Sequence, residues 1–197
     1  LSAFVATLAT MTSVVGLAYL VTAGTTLFNL PPEFNAMGQG KLFEIPIPVY
    51  IAIVISLLLW FVLRFTTMGR RWYATGGNVE VSRLSGINVR RARLIAFTAA
   101  GAISALGGVL LAARLGSASA VQGSDNMMFS VAAVFLGMTV VRSGAANLGG
   151  TMVGVAIIGV MSNGLNILGV NAYVQQVVTG LIIIAAVTLS SLRHRER

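Results

Sequence analysis

Long apolar runs alternate with short polar breaks along this chain. Six apolar stretches stand out, at roughly 3–25, 46–65, 94–113, 126–141, 149–170 and 174–191. A helix that crosses the hydrocarbon of a bilayer needs about 20 residues, with a range of about 17–25. The first three stretches and the fifth meet that length, and the sixth just reaches it. The fourth, "NMMFSVAAVFLGMTVV", is short enough to demand a thinned bilayer or an incomplete crossing. The pattern predicts an all-α, polytopic membrane protein in which residues 1–197 form a single transmembrane domain with six transmembrane helices. Small residues interrupt the apolar runs, and in lipid they let helix backbones approach closely. Gly101, Ala105 and Gly108 share one helix face and fit that role.

Composition agrees with lipid as the solvent. The 197 residues are 56% hydrophobic and only 9% charged, against roughly 25% charged in soluble domains. There is no Cys, one His and five acids, which leaves little material for a metal or acid–base centre and none for disulfides. The chain begins at Leu1 with no charged segment ahead of its first apolar run. That is unlike a signal peptide and predicts a start inside a longer protein.

The formal charge of +8 raises nucleic acid as a partner, but the positions of the charges decide otherwise. Arg64, Arg70, Arg71, Arg83, Arg90, Arg91, Arg93, Arg142, Arg193, Arg195 and Arg197 fall on one side of a six-span topology, and only Lys41 and Arg114 on the other. Lys and Arg gather in short cytoplasmic loops. The basic charge therefore reads as topology and membrane-lipid contact, with no nucleic acid partner, and predicts a cytoplasmic C-terminus.

One segment stands apart. "GGNVEVSRLSGINVRRARL", residues 76–94, is polar and turn-rich between two oily stretches. Asn78 is a good N-cap, and Glu80 in the first turn suits the helix dipole. Gly86 is a natural stop. The spacing predicts a short helix over 79–85, bounded by Gly77 and Gly86, with Asn88 capping the helix that follows. The arginines at 90, 91 and 93 oppose that helix's dipole by about 0.3–1 kcal/mol each. Contact with anionic headgroups, about 1 kcal/mol per basic residue, offsets this. The island is either an ordinary structured loop or a docking element for a soluble partner.

"MGRRWYATGGNVEVSRLSGINVRRARL" resembles the segment G-R-x-x-Y-A-x-G-G-N-x-x-A-x-R-L-S-G-I-N-V of permease subunits of bacterial ABC importers for ribose and related monosaccharides. "AFVATLATMTSVVGLAYLVTAG", "AARLGSASAVQG", "GTMVGVAIIGVMSNGLNILGV" and "YVQQVVTGLIIIAAV" also look like that family. The chain departs from it at Val81, where Ala is usual, and at "GMTVVRSGAANLGG", where a Gly-rich run is usual. The resemblance implies that the six spans are the last six of about ten, in a fold related to the vitamin B12-type importer permeases. It implies that residues 66–93 are a cytoplasmic loop carrying a coupling helix, with Gly77, Asn78, Glu80, Arg83, Leu84 and Gly86 contacting an ATPase. The implied partners are ABC ATPase subunits, a periplasmic sugar-binding protein and a second permease copy. The implied place is the bacterial inner membrane. The chain itself would be no enzyme and would hold no cofactor.

Other candidate chemistry is sparse. "GAANLGGT" looks superficially like a phosphate-binding loop, but it lacks the motif's Lys and a preceding strand, and reads as a tight turn. Asp125 suits an N-cap or a contact with the binding protein or substrate. His194 sits in the basic tail. No acid lies in mid-span, which argues against proton relays. A secondary transporter or facilitator working without an ATPase is the alternative class. Thr7, Thr10 and Thr12 in the first stretch, Asn163 and Asn166 in the fifth, and Gln175 and Gln176 at the start of the sixth either line a substrate path or bond across helices. Such interhelical bonds contribute about 0.6–2 kcal/mol. By the resemblance, the span holding the Thr set corresponds to one that lines the path in the B12-type permeases.

Overall fold

The computed structural model describes residues 3–140, 146–171, 173–178, 180–182, 184 and 188. Arg142, Ser143, Gly144, the tail arginines and His194 lie outside them, as do eight of the eighteen residues of the sixth apolar stretch. The chain divides into two compact units, Leu1–Gly123 and Ser124–Arg197.

The first unit contains α1 (Ala3–Thr22), β1 (Leu27–Phe28), α2 (Pro32–Gln39), β2 (Lys41–Leu42), β3 (Ile45–Pro46), α3 (Ile47–Phe65), α4 (Thr67–Gly77), α5 (Val79–Leu84), α6 (Val89–Leu115) and β4 (Ser117–Ala118). The second contains α7 (Ser124–Val140) and α8 (Leu148–Ile167), and residues 173–178 are again helical. The strands are two residues each and serve only as clasps. Leu27–Phe28 pairs antiparallel with Ser117–Ala118, and Lys41–Leu42 pairs with Ile45–Pro46.

Among the described residues, four helices are long and apolar enough to cross a membrane: Val5–Thr22 in α1, Ile47–Phe65, Val89–Leu115 and Leu148–Ile167. The fourth stretch forms a shorter apolar helix, Asn126–Met138, as its length predicts. Large side chains on these helices face outward: Val21 is 83% exposed, and Leu57 and Leu58 are 59% each. In water each exposed apolar Å² forgoes about 25 cal/mol of burial. A chain that leaves whole helices so bare is built for a hydrocarbon solvent.

Tight packing appears where side chains are smallest. In the second unit a Cβ on Gly137 would collide with the Gly150 backbone, and one on Gly154 with Ala133, 2.8 Å from its carbonyl carbon. Ala133 and Gly137 on α7 thus meet Gly154 and Gly150 on α8, four residues apart on each helix. Ala132, Ala133 and Ile158, flanked by Phe129 and Leu136, form the core of this unit. On α6, an added Cβ at Gly101 or Gly108 meets nothing within 4 Å among the described residues.

In the first unit, α3 runs away from the β2–β3 hairpin and α6 returns towards it. At the hairpin end α2 packs on α6, with Gly38 against the Ala113–Arg114 backbone. Gln39 Nε2 donates to Arg114 O at 3.2 Å. At the other end α4 packs on α6, where Trp72 Nε1 donates to Ala92 O at 3.0 Å. These contacts set two opposed ends. Arg64, Arg70, Arg71, Arg83, Arg90, Arg91 and Arg93 lie on the elements of the second end, and Lys41 and Arg114 on those of the hairpin end.

Candidate functional site

The arginine-rich end starts with a sharp helix break. Thr66 leaves the helical region, its hydroxyl donates to Val62 O at 2.6 Å, and the same oxygen accepts Gly69 N–H at 3.2 Å. One side chain thus closes α3 and opens α4. Gly69 is required here, because a Cβ would strike the Val62 and Leu63 carbonyls.

The short helix lies between Gly77 and Gly86 as the spacing predicts, but the sequence predicts no α4 before it. Gly76 and Gly77 are the last residues of α4, not a loop. Each glycine costs about 1 kcal/mol relative to Ala in a helix. Packing offsets it: Thr75 is buried, Trp72 is tied to α6, and Asn78 N–H donates to Ala74 O at 3.1 Å.

Asn78 then does two jobs. It ends α4 and caps α5, its Oδ1 accepting Glu80 N–H at 3.0 Å and Val81 N–H at 3.1 Å. At the far end of α5, Gly86 has φ +78°, Gly86 N–H bonds Arg83 O, and Ile87 N–H bonds Ser82 O, both at 3.0 Å. That bond pair around a left-handed glycine is the Schellman closure. Asn88 Oδ1 accepts Arg91 N–H at 3.0 Å and opens α6. The predicted caps at Asn78, Gly86 and Asn88 are all present, and α5 ends at Leu84, one residue earlier than expected.

The result is a short helix held at both ends that shows an outward face. Leu84 is 82% exposed, Glu80 and Arg83 are exposed beside it, and Ser82 is turned inward and buried. Chemically this surface offers an apolar anchor, Leu84, with Val81 also exposed one turn earlier, and a charge of each sign near it.

The candidate path residues are distributed over both units, and each set is described within its own. In α1, Thr10 Oγ1 donates to Ala6 O at 2.8 Å and Thr12 Oγ1 to Leu8 O at 3.0 Å. Thr7 lies on the same helix and is exposed. Thr10 and Thr12 satisfy their donors on their own helix and keep acceptor capacity. In the second unit, Asn163 is an exposed residue of α8. Asn166 Oδ1 accepts from Gln175 Nε2 at 2.9 Å, and Gln175 Nε2 also reaches Val170 O at 3.1 Å. Asn166 therefore acts as an interhelical tie. Asp125 falls in the first turn of α7, which begins at Ser124, and so does not precede the helix as an N-cap. Asn147, not singled out from sequence, caps α8 by accepting Gly150 N–H at 2.7 Å. An Asn directly before an apolar run was the available signal.

No solved structure matches the chain significantly. The ribose import permease protein RbsC of Bacillus subtilis (strain 168) is 41% identical over 188 residues, covering 94% of this chain and 58% of the relative. The L-arabinose transport system permease protein AraH of Escherichia coli (strain K12) is 32% identical over 197 residues, covering all of this chain and 60% of the relative. The chain thus spans about three-fifths of the length of these relatives. The family model described as branched-chain amino acid transport system, permease component, matches residues 1–187. With its exposed apolar helices and a family match over residues 1–187, the chain belongs to that permease family and is a multi-pass membrane protein.

Proposed function

We propose that this chain serves as the membrane-spanning subunit of an ABC importer that carries a ribose-like monosaccharide or polyol across the bacterial inner membrane. The observation that carries the reading is its likeness, over 94% of its length, to a relative named as a ribose import permease. All six apolar stretches cross the membrane, in an arrangement related to the vitamin B12-type permeases. The arginine-rich end and the C-terminus face the cytoplasm, where basic loops are retained. Two permease copies form the path, a sugar-binding protein delivers substrate from the periplasm, and ATPase subunits supply the hydrolysis.

The island, within a cytoplasmic loop over residues 66–93, is the coupling element. A part that transmits motion must not dissipate it, and α5 is fixed by Asn78 at one end and by Gly86 at the other. Gly77 and Asn78 join it to α4, so a push on α5 is passed to α4 and α6. Leu84 is the anchor that enters the ATPase, and Glu80 and Arg83 supply charge at the rim. On the path, Thr7, Thr10, Thr12 and Asn163 offer neutral hydrogen-bonding groups, which suit a neutral polyol. Asn166 supports the path by holding Gln175.

The experiment is capture of the ATPase subunit by the permease in lipid, with substrate-stimulated ATP hydrolysis as the second readout. An anchor side chain in an interface contributes about 2 kcal/mol or more, whereas exposed charge pairs contribute about 0–1 kcal/mol. Leu84→Asp is expected to weaken capture about thirtyfold or more and to abolish stimulation, with Leu84→Ala intermediate and Glu80→Ala close to wild type. Intact capture and hydrolysis in a correctly inserted Leu84→Asp protein overturn the coupling role. Uptake without any ATPase would replace the importer with a facilitator.

A further inference from the structure

A cavity of about 330 Å³ lies at the arginine-rich end, lined by Trp72, Thr75 and Gly76 of α4, Val79 of α5, and Ala92, Arg93 and Ala96 of α6. Three features give it a chemistry. Thr75 is only 7% exposed, and its Oγ1 has no hydrogen-bond partner among the described residues. A buried hydroxyl without a partner costs about 1–3 kcal/mol, a cost that a bound acceptor or donor removes. Arg93 places a permanent cation at the wall, and no acid lines the cavity. The remaining wall is Trp72, Gly76, Val79, Ala92 and Ala96, with no other charged or hydroxyl side chain.

The position of the cavity along α6 bears on what it could hold. Arg90, Arg91 and Arg93 stand at the start of α6, and the oily run begins immediately after them at Leu94, which is 67% exposed, and Phe97, which is 62% exposed. Ala96 lies one turn beyond Ala92 in that direction. The cavity therefore extends from the charged edge of the helix to the first turn of its hydrocarbon-facing part. A ligand that fits must carry an anion at one end and an apolar body at the other. We propose that this cavity is a binding site for one anionic phospholipid, with the phosphate on Arg93 and the Thr75 hydroxyl and the glycerol and upper acyl chain along Trp72, Ala92 and Ala96. Basic pockets beside transmembrane helices bind such headgroups. Because Val79 is the first residue of α5, the lipid braces the short helix from below. The inference rests on α3 and α6 crossing the membrane, not on the ATPase contact.

The chain has only two tryptophans, which makes the test direct. In full chain carrying Trp60→Phe, Trp72 is the sole indole, and a lipid with brominated acyl chains quenches it on contact. In nanodiscs of phosphatidylcholine, brominated phosphatidylglycerol is expected to quench Trp72 saturably at a low mole fraction, well below that needed by brominated phosphatidylcholine. Arg93→Gln is expected to raise the half-saturating fraction about fivefold, the effect of one basic residue near the surface, while Arg93→Lys retains most of the affinity. Thr75→Val, nearly isosteric, is expected to raise it about two- to tenfold, the effect of one lost hydrogen bond. Arg90→Gln, outside the cavity wall, is expected to have a clearly smaller effect than Arg93→Gln. Equal quenching by the two lipids, or an equal effect of Arg90→Gln and Arg93→Gln, would show only a diffuse surface potential and overturn the site. Reversal of quenching by millimolar inorganic phosphate would show a free-anion site instead. None of these readouts involves transport or ATP hydrolysis, so failure here leaves the coupling role standing.

Discussion

At the arginine-rich end of the first unit, short-range side-chain caps join α3, α4, α5 and α6. At the hairpin end, α2 is held on α6 by a glycine that has no side chain. Thr66, Asn78 and Asn88 each bond a backbone N–H two or three residues away, so that end is fastened step by step along the chain. Gly38 instead meets Ala113 and Arg114, and Gln39 reaches a carbonyl 75 residues on. The β2–β3 turn there holds Phe43 and Glu44 at φ +50° and +68°, a conformation that costs about 1–3 kcal/mol for such residues. Phe43 nonetheless stays 87% exposed. The difference is between a joint that stays rigid when its surroundings move and a clamp that depends on two distant segments staying together. A coupling element needs the first kind.

The largest expected effect comes from breaking the clamp. Gly38→Ala adds a Cβ that would sit 2.7 Å from the Arg114 Cα, with backbone on both sides and no flexible side chain to yield. Overpacking of this kind costs about 1–3 kcal/mol. At about 2–4 °C per kcal/mol for a chain of this size, thermal unfolding in detergent should fall by several degrees. An unchanged midpoint would mean that α2 does not dock on α6.

The same contrast explains what the sequence made legible. Asn78, Gly86 and Asn88 are visible because a cap is a local event: the residue type, its offset from an apolar run and the left-handed glycine all lie within a few positions. The lengths of the apolar stretches were visible for a similar reason, including the shortness of the fourth. α4 was not visible, because Gly76 and Gly77 signal a loop and the compensating contact, Trp72 on Ala92, lies 20 residues away. The meeting of Gly137 with Gly150 and of Ala133 with Gly154 was hidden likewise. Small residues occur all along the chain, and only the tertiary arrangement decides which of them touch. Nothing in the local sequence sets the small residues of α6 apart from those by which α7 and α8 meet. Asn166 was left between a path role and a tie, and the position of Gln175 favours the tie.

A smaller effect is expected at the joint. Asn78→Ala removes the acceptor for two N–H groups of α5, a loss of about 0.5–2 kcal/mol. Because α5 is six residues long and exposed on one side, the loss should appear as local opening and not as a lower global midpoint. Amide exchange at Glu80 and Val81 should accelerate about two- to thirtyfold, while Asn78→Asp, which keeps the acceptor, should leave it near wild type. Equal acceleration throughout α6 would show that the joint is not local, and the contrast with the clamp would fail.

The smallest effect has the opposite sign. Gly77 carries the same residue type as Gly38 and sits near the end of a helix too, yet nothing lies within 4 Å of a Cβ added there. Its φ is not in the left-handed region, and α4 is helical through this position. Replacing a helical glycine with alanine removes backbone freedom from the unfolded chain and is worth about 0.5–1 kcal/mol, with the low end expected in a last turn. Gly77→Ala should therefore slow amide exchange at Asn78, whose N–H closes that turn on Ala74, by about twofold. One substitution type would then destabilise at position 38 and stabilise at position 77, according to whether backbone or open space faces the new methyl group. Faster exchange at Asn78 in Gly77→Ala would mean that the chain leaves the helix before Gly77. The island would then begin with a flexible hinge in place of a joint.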